Sequence, residues 1–204
     1  MIKAILFDFD GVLTIEKTGS ETIIRYLAQK TGIAEELLKQ EYYKYNKRLL
    51  YGALTHEEMW EEFCGNVGYK IEYELLRQSF LQTTLDKEML DIVESVKENY
   101  LTGLITDNKE DRMNVIFDYY DLRRLFDVVS VSAKYKSGKA ERRIFDETLN
   151  ALKVKPEECV FIDNYEKNLY VPREMGFHTI LFDDEKRDME NFQQVLGNII
   201  TLNK

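Results

Sequence analysis

Two cysteines, two prolines and two histidines are all that the 204 residues contain, and each scarcity removes a class of answer. Cys64 and Cys159 fit neither a disulfide framework nor the paired spacing of a structural zinc site; reduced, buried thiols are expected. No proline-rich linker, internal repeat or low-complexity tract marks a tether between separately folded modules. His56 falls in a helix-capping turn and His178 at the start of a strand, so both are expected to serve structure rather than catalysis. No apolar run approaches the ~20 residues of a membrane span, which makes the cytoplasm the default location. Positive charge is short as well: 28 Lys and Arg face 37 Asp and Glu, for a net charge of −9. Nucleic acids and anionic membranes reward a basic face, so neither is expected as a partner. A monomer is the expected state.

What is present is a hydrophobic fraction of 44%, enough for a sizeable core. Apolar runs bounded by polar or turn residues recur at 2–7, 101–106, 127–131, 159–162 and 178–182. Between them, Lys109–Tyr120, Arg142–Leu152 and Lys167–Met175 carry apolar residues at helical spacing. The alternation predicts an α/β fold built on a doubly wound parallel five-stranded sheet. Residues 8–100 break the rhythm, because no strand signal lies among them. Ser20 is expected to cap a helix over 21–31 that ends at Gly32; a second helix spans 34–51 before Gly52. Thr55-His56-Glu57-Glu58 reads as a capping box for 59–66, and two more helices run across 71–83 and 86–99. The reading is an inserted helical cap domain, 17–85, on a Rossmann-like core of 1–16 and 86–204, hinged near 15–19 and 84–86.

The stretch Phe7-Asp8-Phe9-Asp10-Gly11-Val12-Leu13-Thr14 ends the first apolar run on two acids. Burying ionised carboxylates costs several kcal/mol or more without a partner, so water, a cation or a chemical task should meet them. In an open parallel sheet, ligands bind beyond the carboxyl ends of the strands. There the second strand ends in Thr106-Asp107-Asn108 and the fourth in Asp163-Asn164, while Lys139 follows the third. Singly, Thr106 reads as a strand end and Lys139 as a surface charge. On successive strand ends, in this chain order, they read together as a site.

These residues resemble the haloacid dehalogenase superfamily, in its phosphatase branch with a helical cap inserted after the first strand, of the β-phosphoglucomutase and phosphoglycolate phosphatase kind. The resemblance spans nearly the whole chain. Asp8 to Thr14 matches the family's first motif, and Thr106 the hydroxyl of the second. Lys139, six residues before Phe145, matches the lysine of the third, and Phe161-Ile162-Asp163-Asn164 with Asn168 the fourth. The resemblance implies a sheet of order 3-2-1-4-5, Asp8 as nucleophile and Asp10 as general acid and base. It further implies Mg²⁺ as cofactor, held by Asp8, the Asp10 backbone carbonyl and Asp163.

Each residue type suits that chemistry. Phosphoryl transfer needs in-line attack and neutralisation of the transferred charge. A carboxylate nucleophile can carry the phosphoryl group, Mg²⁺ takes hard oxygen ligands, and the Thr106 hydroxyl and Lys139 ammonium complete the cradle. The expected function is a Mg²⁺-dependent phosphatase hydrolysing a small phosphorylated metabolite through an aspartyl-phosphate. Dehalogenases of this family carry an aromatic residue where Asp10 stands, because a halide needs no proton to leave and an alkoxide does. The alternatives are a phosphosugar mutase of the β-phosphoglucomutase type and a non-catalytic binding protein; retention of Asp8, Asp10, Lys139 and Asp163 disfavours the second.

Several positions depart from the family pattern. Ala140 stands where proline is common, and Lys134 and Lys136 where a glutamate and a glycine often precede the lysine. Asn164 replaces a common second acid of the fourth motif, and Lys167 occupies the place used by a longer-spaced variant. Asp107 is a candidate to restore the lost charge through a water, and it and Asn108 are candidate substrate contacts. In the lid, the stretch Lys39 to Arg48 interleaves aromatics with bases. Lys44, Tyr45 and Arg48 are its candidate contacts, against the reading of an amphipathic helix whose tyrosines pack and whose lysines are solvated. Trp60 is expected to anchor the cap core.

Overall fold

Burial on both faces explains why β1 (Ala4–Phe7) is apolar at every position. In the computed structural model, which describes residues 1–202, β1 is the centre of the sheet. Strands β2 (Leu101–Thr106), β3 (Val128–Val131), β4 (Cys159–Asp163) and β5 (His178–Leu181) join it in the order β3-β2-β1-β4-β5. All neighbours run parallel, so the sheet class and order expected from the sequence are those found. Ala4 lies opposite Leu101 on one side and Cys159 on the other.

Helices sandwich this sheet. Between β1 and β2 come α1 (Gly19–Thr31), α2 (Glu35–Leu50), α3 (His56–Val67), α4 (Tyr73–Phe80) and α5 (Lys87–Lys97). Then follow α6 (Glu110–Tyr119) after β2, α7 (Ser132–Tyr135) and α8 (Arg142–Leu152) after β3, α9 (Tyr170–Met175) after β4 and α10 (Met189–Leu202) after β5. Alternate residues of β1 serve the two layers. Ile5 and Phe7 pack with Val93 of α5, Phe117 of α6 and Phe192 of α10, whereas Ala4 and Leu6 pack with Phe145 and Leu149 of α8. Cys159 is buried and Cys64 half-buried, with neither in a disulfide. Among the described residues, no helix is long and apolar enough to cross a membrane.

Local differences from the sequence reading have plain causes. Thr18, not Ser20, caps α1, its hydroxyl accepting from the Ser20 N–H, which frees the Ser20 side chain to face inward. The segment expected as one helix over Lys167–Met175 begins as a 3₁₀ turn, Glu166–Leu169, before α9. The capping box at Thr55 forms with Glu58 as its reciprocal partner.

Helices α1 to α4 add Ile23, Leu27, Leu38, Phe63 and Leu76 to the same apolar cluster that holds Ile5 and Phe7, with the Trp60 indole N–H donating to the Ile71 carbonyl at 2.9 Å. The chain leaves and re-enters the sheet layer at one place. There Thr14 bridges Leu85 in antiparallel fashion, the Ile15 N–H donates to Thr84 O, and the Asp86 N–H donates to Leu13 O, both at 2.9 Å. The Glu16 carboxylate accepts from the Thr84 N–H at 2.8 Å and its hydroxyl at 2.7 Å. Arg187, at φ 47° in the loop after β5, reaches the same crossing. It donates to the carbonyls of Gly11 and Val12, each at 2.9 Å, and through two nitrogens to one oxygen of Asp86.

Candidate active site

The turn after β1 gives the site its shape. Gly11 sits at φ 82°, a backbone angle that favours glycine, and the Asn164 side chain lies against it, its amide nitrogen 2.3 Å from where a Cβ would stand. The buried Thr14 hydroxyl accepts from the Gly11 N–H at 3.0 Å and donates to Glu16 O at 2.8 Å. This turn directs Asp8 and Asp10 to the carboxyl end of the sheet.

On the floor, Lys139 is 2% exposed and its ammonium lies 2.8 Å from Asp8 Oδ1 and 2.7 Å from Asp163 Oδ2. Asp163 is further held by the Asn168 amide, 3.1 Å from each oxygen, and by the Tyr165 N–H at 2.8 Å. Burial pushes Asp8 up from the usual carboxylate range, while the Lys139 ammonium pulls the other way. Burial also works against the charge on Lys139, but Asp8 and Asp163 outweigh it and raise the amine above its ordinary value. Thr106 is buried beside them and borders the cleft. Asp107 borders it too, its carboxylate accepting the Lys139 N–H at 2.9 Å.

Asp10 has a different setting. Its Oδ1 accepts from Arg112 Nη2 at 2.9 Å, and its Oδ2 from Arg112 Nη1 at 3.0 Å and from the Asn108 amide at 2.8 Å. Asn108, expected to touch substrate, is 1% exposed and stands behind Asp10. Its amide oxygen accepts from Arg112 and from the Lys109 N–H, so its capacity is used inside the protein.

The opposite wall departs further from expectation. A cleft of ≈ 180 Å³ is bordered by Asp8, Asp10 and Lys139 on one side and by Thr18, Ser20, Asn46 and Lys109 on the other. Lys44 and Arg48, expected to face it, are exposed, and Lys44 pairs with Glu41. Tyr45 is buried, its hydroxyl accepting from the Asn66 amide at 3.0 Å. The amphipathic reading of α2 therefore describes these three, and the cleft takes Asn46 and Leu50 instead. Lys109 is buried, its amine 2.6 Å from Ser20 Oγ and 5.8 Å from the centre of the Tyr42 ring. Burial, aided by Arg112, lowers this amine to about 7. The Ser20 hydroxyl in turn donates to Asn46 Oδ1 at 3.1 Å.

Behind Lys109, three further groups join the helical layer to α6. The His56 Nδ1–H donates to Asp111 and the Tyr42 hydroxyl donates to Nε2, each at 2.7 Å. Burial lowers His56, against the pull of Asp111, and its ring is wholly covered, in keeping with a structural role. Lys109 and Arg112 follow the tip of β2 by three and six residues, so the rule that strand tips carry chemistry could have found them. Arg187 acts on Gly11 across 176 residues and has no local signal.

The floor suits Mg²⁺ on the chemistry of its donors. Two buried carboxylates share one ammonium, and burial raises Asp8, so the cluster is short of positive charge and offers hard oxygens. No cluster of three or more acidic, histidine or cysteine side chains is set around a metal position among the described residues. Two carboxylates with a backbone carbonyl remain an ordinary set for Mg²⁺, which keeps waters and takes phosphate oxygens for the rest of its shell.

Residues 2–166 match the model of the haloacid dehalogenase-like hydrolases. The chain is 23% identical over 219 residues to bifunctional epoxide hydrolase 2 of Rattus norvegicus, covering 96% of this chain and 39% of that protein; it thus spans about two fifths of that relative's length. It is 23% identical over 190 residues to D-ribitol-5-phosphate phosphatase of Bacteroides thetaiotaomicron, covering 88% of this chain and 91% of that one. A crystal structure of a haloacid dehalogenase family enzyme from Bacteroides thetaiotaomicron, in complex with magnesium and inorganic phosphate, superposes with a TM-score of 0.74. The two share 20% identity, over 88% of this chain and 93% of the other.

Proposed function

The chain belongs to the haloacid dehalogenase-like hydrolase family, and from that premise we propose that it is a Mg²⁺-dependent phosphatase of a small phosphorylated metabolite. The observation that carries the reading is the floor of the cleft: Lys139 between Asp8 and Asp163, with Asp10 two residues from Asp8. Support also comes from the similar ribitol-5-phosphate phosphatase and from the magnesium and phosphate in the superposable enzyme.

In this reading Asp8 attacks the phosphorus in line, and its carboxylate carries the phosphoryl group until water releases it. The Thr106 hydroxyl and the Lys139 ammonium hold phosphate oxygens as charge develops. Asp10 gives the leaving alkoxide a proton and then takes one from the water. When bound, Mg²⁺ supplies neutralisation of the phosphoryl charge; Asp8, Asp163 and the Asp10 carbonyl would hold it. Residues 17–85 act as the lid whose wall, at Ser20 and Asn46, meets the rest of the substrate.

Phosphate release from a panel of phosphorylated metabolites, with and without Mg²⁺, tests the class. Asp8→Asn should abolish turnover, since an amide cannot form the acyl-phosphate. Retention of more than a few per cent of activity would remove Asp8 as nucleophile, and transfer of phosphate between sugar positions without net release would identify a mutase.

A further inference from the structure

Arg112 is a large side chain at 1% exposure, and nothing in the reaction described above uses it. Its guanidinium donates to both oxygens of Asp10 at 2.9 and 3.0 Å, to Asn108 Oδ1 at 2.9 Å and to the Thr83 hydroxyl at 3.1 Å. The Phe9 ring lies 5.7 Å from its centre. Removing an arginine from water is costly unless its partners compensate, and here they do so incompletely, because the buried Nε has no hydrogen-bond partner among the described residues. Two of the surrounding residues belong to the route into and out of the helical layer. Thr83 lies on the return, and Gly19 opens α1. A Cβ on Gly19 would stand 2.1 Å from Arg112 Cζ, so the first residue of α1 is glycine where the guanidinium passes.

A carboxylate offers about four lone-pair positions. At Asp10 three are taken, two by Arg112 and one by Asn108. The remaining one fixes the direction in which this carboxylate can exchange a proton with the cleft. An arginine fork is also the group whose planar, paired donors set the plane of a carboxylate, which a lysine cannot do.

We propose that Arg112 is the positioning residue of Asp10, and that through Gly19 and Thr83 it ties the orientation of that carboxylate to the seating of helices α1 to α4. The inference rests on the phosphatase reading. It adds a residue that acts through Asp10 without touching substrate, and it gives the lid a mechanical line to the acid. When α1 withdraws, the packing that holds the fork is lost, so proton donation is aligned while the lid is seated.

The test is a double-mutant cycle on kcat/KM, which reports the steps through phosphorylation of Asp8. Wild type, Arg112→Met, Arg112→Lys, Gly19→Ala, Asp10→Asn and the Arg112→Met, Asp10→Asn pair are compared on an alkyl phosphate and on p-nitrophenyl phosphate. A general acid contributes ~10²–10⁴, and an acid held out of line loses a part of it. Arg112→Met should therefore lower kcat/KM for the alkyl ester by roughly tenfold or more, with a clearly smaller loss on the good leaving group. On top of Asp10→Asn it should add less than about threefold, because residues acting through one group are not additive. Gly19→Ala should show the same leaving-group bias in milder form, and Arg112→Lys should recover part of the loss.

Equal losses on both esters, multiplying with Asp10→Asn, would reduce Arg112 to a packing residue and overturn the proposal. Should Arg112→Met not fold, as judged by thermal melting, the Arg112→Lys and Gly19→Ala comparisons decide between the same two outcomes. Failure of the parent reading looks different: wild type would then release no phosphate, or Asp8→Asn would retain turnover.

Discussion

Two lysines are buried in facing walls of one cleft, and their surroundings push them in opposite directions. Lys139, from the loop after α7, touches two carboxylates and is held charged. Lys109, at the start of α6, touches a hydroxyl and an aromatic face, and burial lowers it to about 7. The difference separates two tasks. Groups that treat every substrate alike can be matched to one another inside the protein, as Lys139 is. A group left with a hydroxyl where an anion would serve it better has its best partner still to come. In the phosphatase reading proposed above, Lys109 and its neighbours Ser20 and Asn46 are the groups expected to tell substrates apart.

The sharpest way to break this contrast is to remove the matched lysine. Lys139→Met leaves Asp8 and Asp163 buried without their cation, and stripping one partner from a buried pair costs about 3–5 kcal/mol. For a domain of this size that is a fall in Tm on the order of 10 °C. Thermal melting in chelator should show it, and added Mg²⁺ should return more to the variant than to wild type. A melting temperature equal to that of wild type would mean that the two acids do not depend on this ammonium.

A smaller effect sharpens the other half. Lys109→Met should lower kcat/KM by a factor of ten or more for the preferred metabolite, since a lost charge-assisted contact costs ~1.5–3 kcal/mol. On p-nitrophenyl phosphate, which beyond its phosphate carries neither a hydroxyl nor a second anion for that wall, the change should be slight. Lys44→Ala and Arg48→Ala, at exposed positions, should match wild type on both. Steady-state rates on the same panel decide it, and a substrate-dependent loss at Arg48 with none at Lys109 would move specificity back to the outer face of α2.

How far the sequence carried this picture follows from the range of the forces involved. β1 and the acids at its tip were legible because an apolar run ending in Asp-Phe-Asp is a local contradiction that demands water, a cation or a chemical task to meet it. The capping box at Thr55 and the glycine stops at Gly32 and Gly52 were legible because helix ends are satisfied within a few residues. The face of α2 that meets the cleft was not. Tyr45 and Asn46 are adjacent in sequence and about 100° apart around the helix, and packing against α1 and α3 chose between them. Arg112 was hidden for a related reason: on α6 it reads as one more surface charge, and its partner Asp10 lies 102 residues away. The clamp of Arg187 on Gly11, Val12 and Asp86 joins three stretches that no periodicity connects.

The mildest expectation concerns Lys109 and pH, and its sign is fixed by linkage. The folded chain holds this amine near 7 against an ordinary value of 10.5. Between those two pH values the unfolded chain carries a proton that the folded chain lacks, so stability rises with pH across the window. Below about 7 both states are protonated, and the full cost of a buried ammonium falls on the fold. Replacing the amine by the thioether of Lys109→Met removes that cost along with the Ser20 contact, which is a constant offset. The melting temperature of the variant minus that of wild type should therefore be largest at and below about pH 7 and shrink by roughly 5–9 °C as pH rises to about 9, for a change of about 2 kcal/mol at 2–4 °C per kcal/mol. Titrations common to both chains, that of Asp8 among them, cancel in the difference. A difference that stayed level across the window would show an amine held charged like Lys139, and the contrast between the two walls would fall.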